Sequence, residues 1–248
     1  HCDAMLFDWA RNPSMFDTAI LNHDFEGVLA PSNITRATRI DGFRIQGMSG
    51  VPQTNPGSAC IVVLGSPTIT GNRINGGNIT GGSQWYSQRT VGVAILAPIT
   101  DPAGPLVENN DIQGGQSGSF ATFGVMFDAV GNPPMGNATS SGMVRNNRIR
   151  GGSGANTEGV AAWSSAGQAA VVGNSITSGG GMGGNAQSSW GIAVGGTLLV
   201  DGNLINTDQN AVGGCGGNWC GGLASYSSTA TIVNNVIYGN KSGLSAAV

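Results

Sequence analysis

The decapeptide MVRNNRIRGG at residues 143–152 recurs with variation along the chain, and this repeat restricts the fold more than any other feature. Its copies read TITGNRINGG (68–77), LVENNDIQGG (106–115), AVVGNSITSG (170–179), LLVDGNLINT (198–207) and TIVNNVIYGN (231–240), after a weaker RIDGFRIQG at 39–47. A unit this short cannot bury its own apolar side chains, so the copies must stack on one another.

Aligned on the isoleucine before the glycines (Ile45, Ile74, Ile112, Ile149, Ile176, Ile205, Ile237), the spacings are 29, 38, 37, 27, 29 and 32 residues. Five positions earlier runs a second apolar row: Ile40, Ile69, Val107, Val144, Val171, Val200 and Ile232. Two positions before the anchor, six of the seven copies carry asparagine: Asn72, Asn110, Asn147, Asn174, Asn203 and Asn235. The preceding residue is always Gly or Asn, the types that tolerate left-handed backbone, so a tight bend between two short strands is predicted there. Stacked in register, the asparagines are expected to form a hydrogen-bonded structural ladder.

A second strand family lies between the bends: VGVAIL (91–96), FGVMFD (123–128), EGVAAW (158–163), WGIAVG (190–195) and GGLASY (221–226). ACIVVL (59–64) reads as the same strand one coil earlier. Strict alternation puts Val93, Val125, Val160, Ile192 and Leu223 inward, with Ile95, Phe127, Ala162, Val194 and Ser225 beside them. It puts the glycines 92, 124, 159, 191 and 222 outward, together with a row of mostly small residues: Ala94, Met126, Ala161, Ala193 and Ala224. That flat row is a candidate face for lateral packing; the competing reading is that loops cover it.

Helical repeats of this length would show apolar spacing near 3.6, which is missing. The expected fold is all-β: a right-handed parallel β-helix of about seven coils, spanning roughly 34 Å. Residues 1–26 are expected to be an irregular cap or the tail of a preceding region, and residues 27–248 the repeat domain.

The DGFRIQG start and the following NN-x-I-x-GG coils resemble the pectate-lyase-like superfamily of right-handed β-helices, and within it bacterial secreted and cell-surface repeat proteins. The resemblance implies fold more than activity. Polygalacturonase-like members carry an Asn-Thr-Asp motif, paired aspartates, a Gly-His-Gly and an Arg-Ile-Lys. Asn206-Thr207-Asp208 matches the first alone; there is no Asp-Asp pair, and the histidines are His1 and His23. Pectate lyases use clustered carboxylates for calcium, whereas Asp111, Asp128, Glu158 and Asp201 are scattered. No catalytic residue and no metal site is assigned. Calcium enters only under a polysaccharide-lyase reading.

Charged residues are 9% of the chain and the net charge is −3, which argues against a nucleic-acid partner. No apolar run is long enough for a membrane-spanning helix. Cys215 and Cys220, in CGGNWC, are candidates for a local disulfide and hence for an oxidising, extracellular compartment. A metal reading lacks a second Cys or His pair nearby. Cys2 is left to pair with Cys60 or with something outside the chain. The start at His1-Cys2 reads as a processed protein or a piece of a longer one.

Arg44, Arg73, Arg148 and Arg150 line up beside the anchor isoleucines, and Trp163 and Tyr226 share an outward column, so both groups are candidates for glycan contact. A lightly charged solvated face is the competing account. The function expected is a non-enzymatic extracellular module with a structural, adhesive or filament-forming role, contacting other copies of itself or cell-surface components. The alternative is a polysaccharide-active lyase or hydrolase, or a carbohydrate-binding module.

Overall fold

The computed structural model describes residues 19–21, 26–47, 49–50, 58–79, 89–97, 101, 103–117, 121–129, 141–162, 169–180, 188–207, 219–226 and 229–239. Within them every strand pairs in parallel with the equivalent strand one turn away, so the chain is an all-β parallel solenoid. Three long sheets run along it, with a fourth of three two-residue strands, Ser49–Gly50, Asn78–Ile79 and Gln116–Ser117. The first has eight strands, from Ala19–Leu21 through Arg44–Gln46 to Val236–Tyr238. The second has seven, from Glu26–Ala30 to Trp219–Ser225, and includes Ser58–Val63. The third also has seven, from Arg39–Asp41 to Thr231–Val233. No described helix is long and apolar enough to cross a membrane.

The bends between the third and first sheets explain why the repeat needs Gly or Asn. Gly42, Gly71, Asn109, Asn146, Gly173, Gly202 and Asn234 all have φ between 54° and 74°. A β-branched or bulky residue there would be strained. The bend turns the chain so that the two apolar positions on either side of it both face the axis. The anchor isoleucines register directly on one another, Ile112 on Ile74 and Ile149 on Ile112, and the valine row does the same. Ile45 through Ile205 and the row beside them contribute to one continuous core. Burying each isoleucine stabilises the stack by about 2 kcal/mol.

Closed turns number about five rather than the seven expected. Six anchor isoleucines, Ile45 through Ile205, are buried, and six rungs bound five turns. The end rungs are less enclosed: Ile20 is only half-buried, and Ile237 is 49% exposed although it occupies the anchor position. Residues 1–18, most of the expected N-terminal cap, lie outside the described residues.

Strict alternation fails in the second sheet. Gly92, Gly124, Gly159, Gly191 and Gly222 face the axis and not the exterior. A Cβ on Gly124 would lie 2.5 Å from Ile149 Cγ2, and one on Gly159 would lie 2.5 Å from Ile176 Cγ2. Each glycine therefore leaves room for the anchor isoleucine of the facing sheet, and the following valine also points inward. In the Ser58–Val63 strand the same column holds Cys60, which is buried, unpaired with another cysteine, and donates through Sγ to Asn75 O at 2.7 Å.

Candidate functional site

The asparagine column forms a continuous, directional network. Asn110 N–H and Nδ2 both donate to Asn147 Oδ1, at 2.9 and 3.0 Å. Asn147 makes the same two bonds to Asn174, and Asn174 to Asn203. Each Nδ2 also reaches carbonyls beside the bend; that of Asn147 donates to Val107 O and Arg145 O. Asn72 begins the ladder and Asn235 ends it. In the first copy Phe43 stands in the asparagine's place without a side-chain amide, yet its backbone N–H still donates to Asn72 Oδ1 at 2.9 Å. Every polar atom of the buried amides is thus used for architecture, and none is presented to a ligand.

The outward face of the first sheet is open to solvent. Arg44, Arg73, Asp111, Arg148, Ser175, Leu204 and Val236 occupy one column of it. Asp111 breaks the arginine row electrostatically as well as in sequence, because its carboxylate accepts from Arg150 Nη2 at 2.7 Å across one turn. Arg145 and Glu108 make a similar pair on the third sheet, also at 2.7 Å. Arg44 already has a partner, and Arg73 and Arg148 are exposed. At the far end the column becomes apolar: Leu204 is 43% and Val236 57% exposed, with Tyr238 beside them.

The second sheet behaves oppositely, and the expectation of a lateral-packing face is corrected here. Ala94, Met126, Ala161, Ala193 and Ala224 point away from the axis but are buried, in two apolar clusters outside the main core. Met126 Sδ, for example, accepts from Arg89 Nη1 at 3.6 Å. The row is the floor of a covered layer, so it offers no open surface for another solenoid.

Inside that layer sits an acidic group the repeat pattern does not need. Glu158 registers between Phe123 and Trp190 on adjacent rungs. Its residue is 3% exposed, and its Oε2 has no hydrogen-bond partner. Burial pushes its carboxyl up to about 8, so at neutral pH it is largely a neutral acid. Trp190 is buried and its indole nitrogen makes no hydrogen bond of ordinary geometry, touching only loosely on the Tyr226 phenol. Tyr226 is half-exposed, and its hydroxyl is raised by burial first and then by the charge of Glu158. The acid was visible in the sequence as one of several scattered carboxylates. What sets it apart is its place between two aromatic residues of its column, Phe123 and Trp190.

The remaining candidates separate. Cys220 is disulfide-bonded, while Cys215 and Cys2 lie outside the described residues. Cys60 is free, which removes the Cys2–Cys60 pairing. Trp163 also lies outside the described residues. Asn206 and Thr207 are ordinary rung members, Thr207 N–H donating to Tyr238 O at 2.9 Å. Among the described residues no three His, Cys, Asp or Glu side chains gather as a metal site would require. No family model, no curated protein and no solved structure matches this chain.

Proposed function

We propose that this chain is an extracellular, non-enzymatic solenoid module that acts by contact, through the open face of its eight-stranded sheet, with other copies of itself or with a cell surface. The observation that carries the reading is the contiguous exposed patch of Leu204, Val236 and Tyr238 at the apolar end of that face. Apolar side chains grouped this way mark contact surfaces. The ladder and the continuous core support the same role, because they hold the face flat and in register without any ligand. The Cys220 disulfide supports an oxidising compartment. The secreted, bacterial surface character belongs to the resemblance carried by the NN-x-I-x-GG repeats.

Light scattering across a concentration series tests the idea, with Leu204→Glu/Val236→Glu as the comparison. Concentration-dependent association of the parent chain, lost in the double variant, is expected. A parent chain that stays monomeric throughout and does not adhere to cells would overturn it. A second reading, a carbohydrate-binding or carbohydrate-cleaving module, draws on the exposed guanidinium groups of Arg73 and Arg148. Acidic and neutral polysaccharides, with and without calcium, test it; neither retention nor cleavage removes it.

A further inference from the structure

We infer that the outer layer of the second sheet holds a binding site for a small organic cation, a primary or quaternary ammonium group, built from Glu158, Phe123 and Trp190 with Tyr226 at its rim. Three observations converge on this. Glu158 lies one rung from Phe123 on one side and one rung from Trp190 on the other, so its carboxyl is bracketed by two aromatic side chains. All three are buried, and the carboxyl oxygen Oε2 is left without a partner. Tyr226 is close enough for the charge of Glu158 to act on its phenol, and it is the solvent-facing member of the group at 44% exposed.

The chemistry selects the charge of the ligand. A buried carboxyl with no bonding partner is costly, and an ammonium group beside aromatic faces relieves that cost by both ion pairing and cation–π attraction. An anion would meet the carboxylate, whose raised titration has burial as its cause and no described cation beside it. Arg89, on the same outer layer, donates to Met126 Sδ instead. Arg148 and Arg150, on the neighbouring strand of the first sheet, point outward from that sheet, and Arg150 is tied to Asp111. The Tyr226 phenol is raised by burial first and then by the charge of Glu158. Gly221, next in the column after Trp190, seats the indole: a Cβ there would lie 2.6 Å from Trp190 Cζ3, so its absence lets the ring lie over the backbone. The site is on a different sheet from the exposed apolar patch, so the two proposals stand or fall separately.

Because burial holds the empty carboxyl protonated to about pH 8, a cation must displace its proton, and binding strengthens with pH. The test is calorimetric titration of the full chain with tetramethylammonium chloride, with sodium chloride and glucose as controls. Saturable binding about tenfold or more tighter near pH 9 than near pH 6 is expected, from the change in ionised Glu158. Glu158→Gln should abolish both the binding and its pH dependence. Trp190→Phe should weaken binding several-fold while keeping the pH dependence, and circular dichroism establishes that each variant is folded. If Glu158→Gln fails to fold, Trp190→Phe decides the matter. Binding no greater than that of sodium chloride at either pH, equal binding by a folded Glu158→Gln, unchanged binding by Trp190→Phe, or preference for glucose overturns the proposal.

Discussion

Gly191 lies directly against Ile205: a Cβ built on the glycine would fall 2.3 Å from the isoleucine's Cγ2 and 2.6 Å from the carbonyl oxygen of Gly222. The same relationship joins Gly92 to Ile112, Gly124 to Ile149 and Gly159 to Ile176. At these positions an anchor isoleucine of the first sheet fills the space that a side chain of the second would need.

Gly159→Ala should therefore destabilise the fold by about 1–3 kcal/mol, the usual cost of forcing a methyl group into a packed core. Gly180 has nothing within 4 Å of its Cβ position and no left-handed φ. Gly180→Ala should be neutral or stabilising by about 0.4–1 kcal/mol, through the unfolded chain. Urea unfolding of the two variants side by side checks the contrast.

Asn147→Ala removes the acceptor of Asn110 N–H and the donor to Val107 O and Arg145 O in the middle of the ladder. Orphaning buried backbone groups of this kind costs about 1–3 kcal/mol each, so a loss of several kcal/mol is expected. Asn235→Ala, on the exposed last rung, should cost about 1 kcal/mol or less, because water replaces the lost bonds. Thermal or chemical denaturation measures both.

Stability should fall as pH rises, and Glu158 should be the cause. Its carboxyl titrates at about 8 when folded and near 4.5 when unfolded, so between those values the folded chain binds more protons. The stabilising contribution is complete below the lower value and is lost as pH rises through the upper one, at up to about 1.4 kcal/mol per pH unit. Glu158→Gln should flatten this slope and be the more stable protein above pH 8. Melting temperatures across the window decide it.

Cys60 should resist thiol reagents in the native protein. It is fully buried, and burial pushes its thiol up to about 12, so the reactive thiolate is scarce at ordinary pH. Peptide mapping after alkylation should find Cys60 unmodified in native buffer and labelled in denaturant. Labelling at equal rates under both conditions would contradict the packing described.

The repeat alignment made much of the fold legible, because its information is local. Left-handed backbone at Gly71 or Asn146 is a property of residue type, and the spacing between Val144 and Ile149 reflects the bend between them. The glycine column was misplaced by strict alternation because Gly159 carries no side chain to betray its direction; what orients it is Ile176, on another strand of another sheet. The row from Ala94 to Ala224 packs in clusters apart from the main core, and its burial depends on what lies over it.

The sequence by itself determined the parallel stacked architecture, since a bend every turn and apolar residues at constant offsets from it leave the copies little choice but to lie in register. The tertiary structure alone decided which faces are open, which glycines face the core, and that the carboxyl of Glu158 is enclosed between Phe123 and Trp190. Those outcomes depend on side chains arriving from neighbouring turns 27 to 38 residues away, and on the removal of water that their meeting brings about.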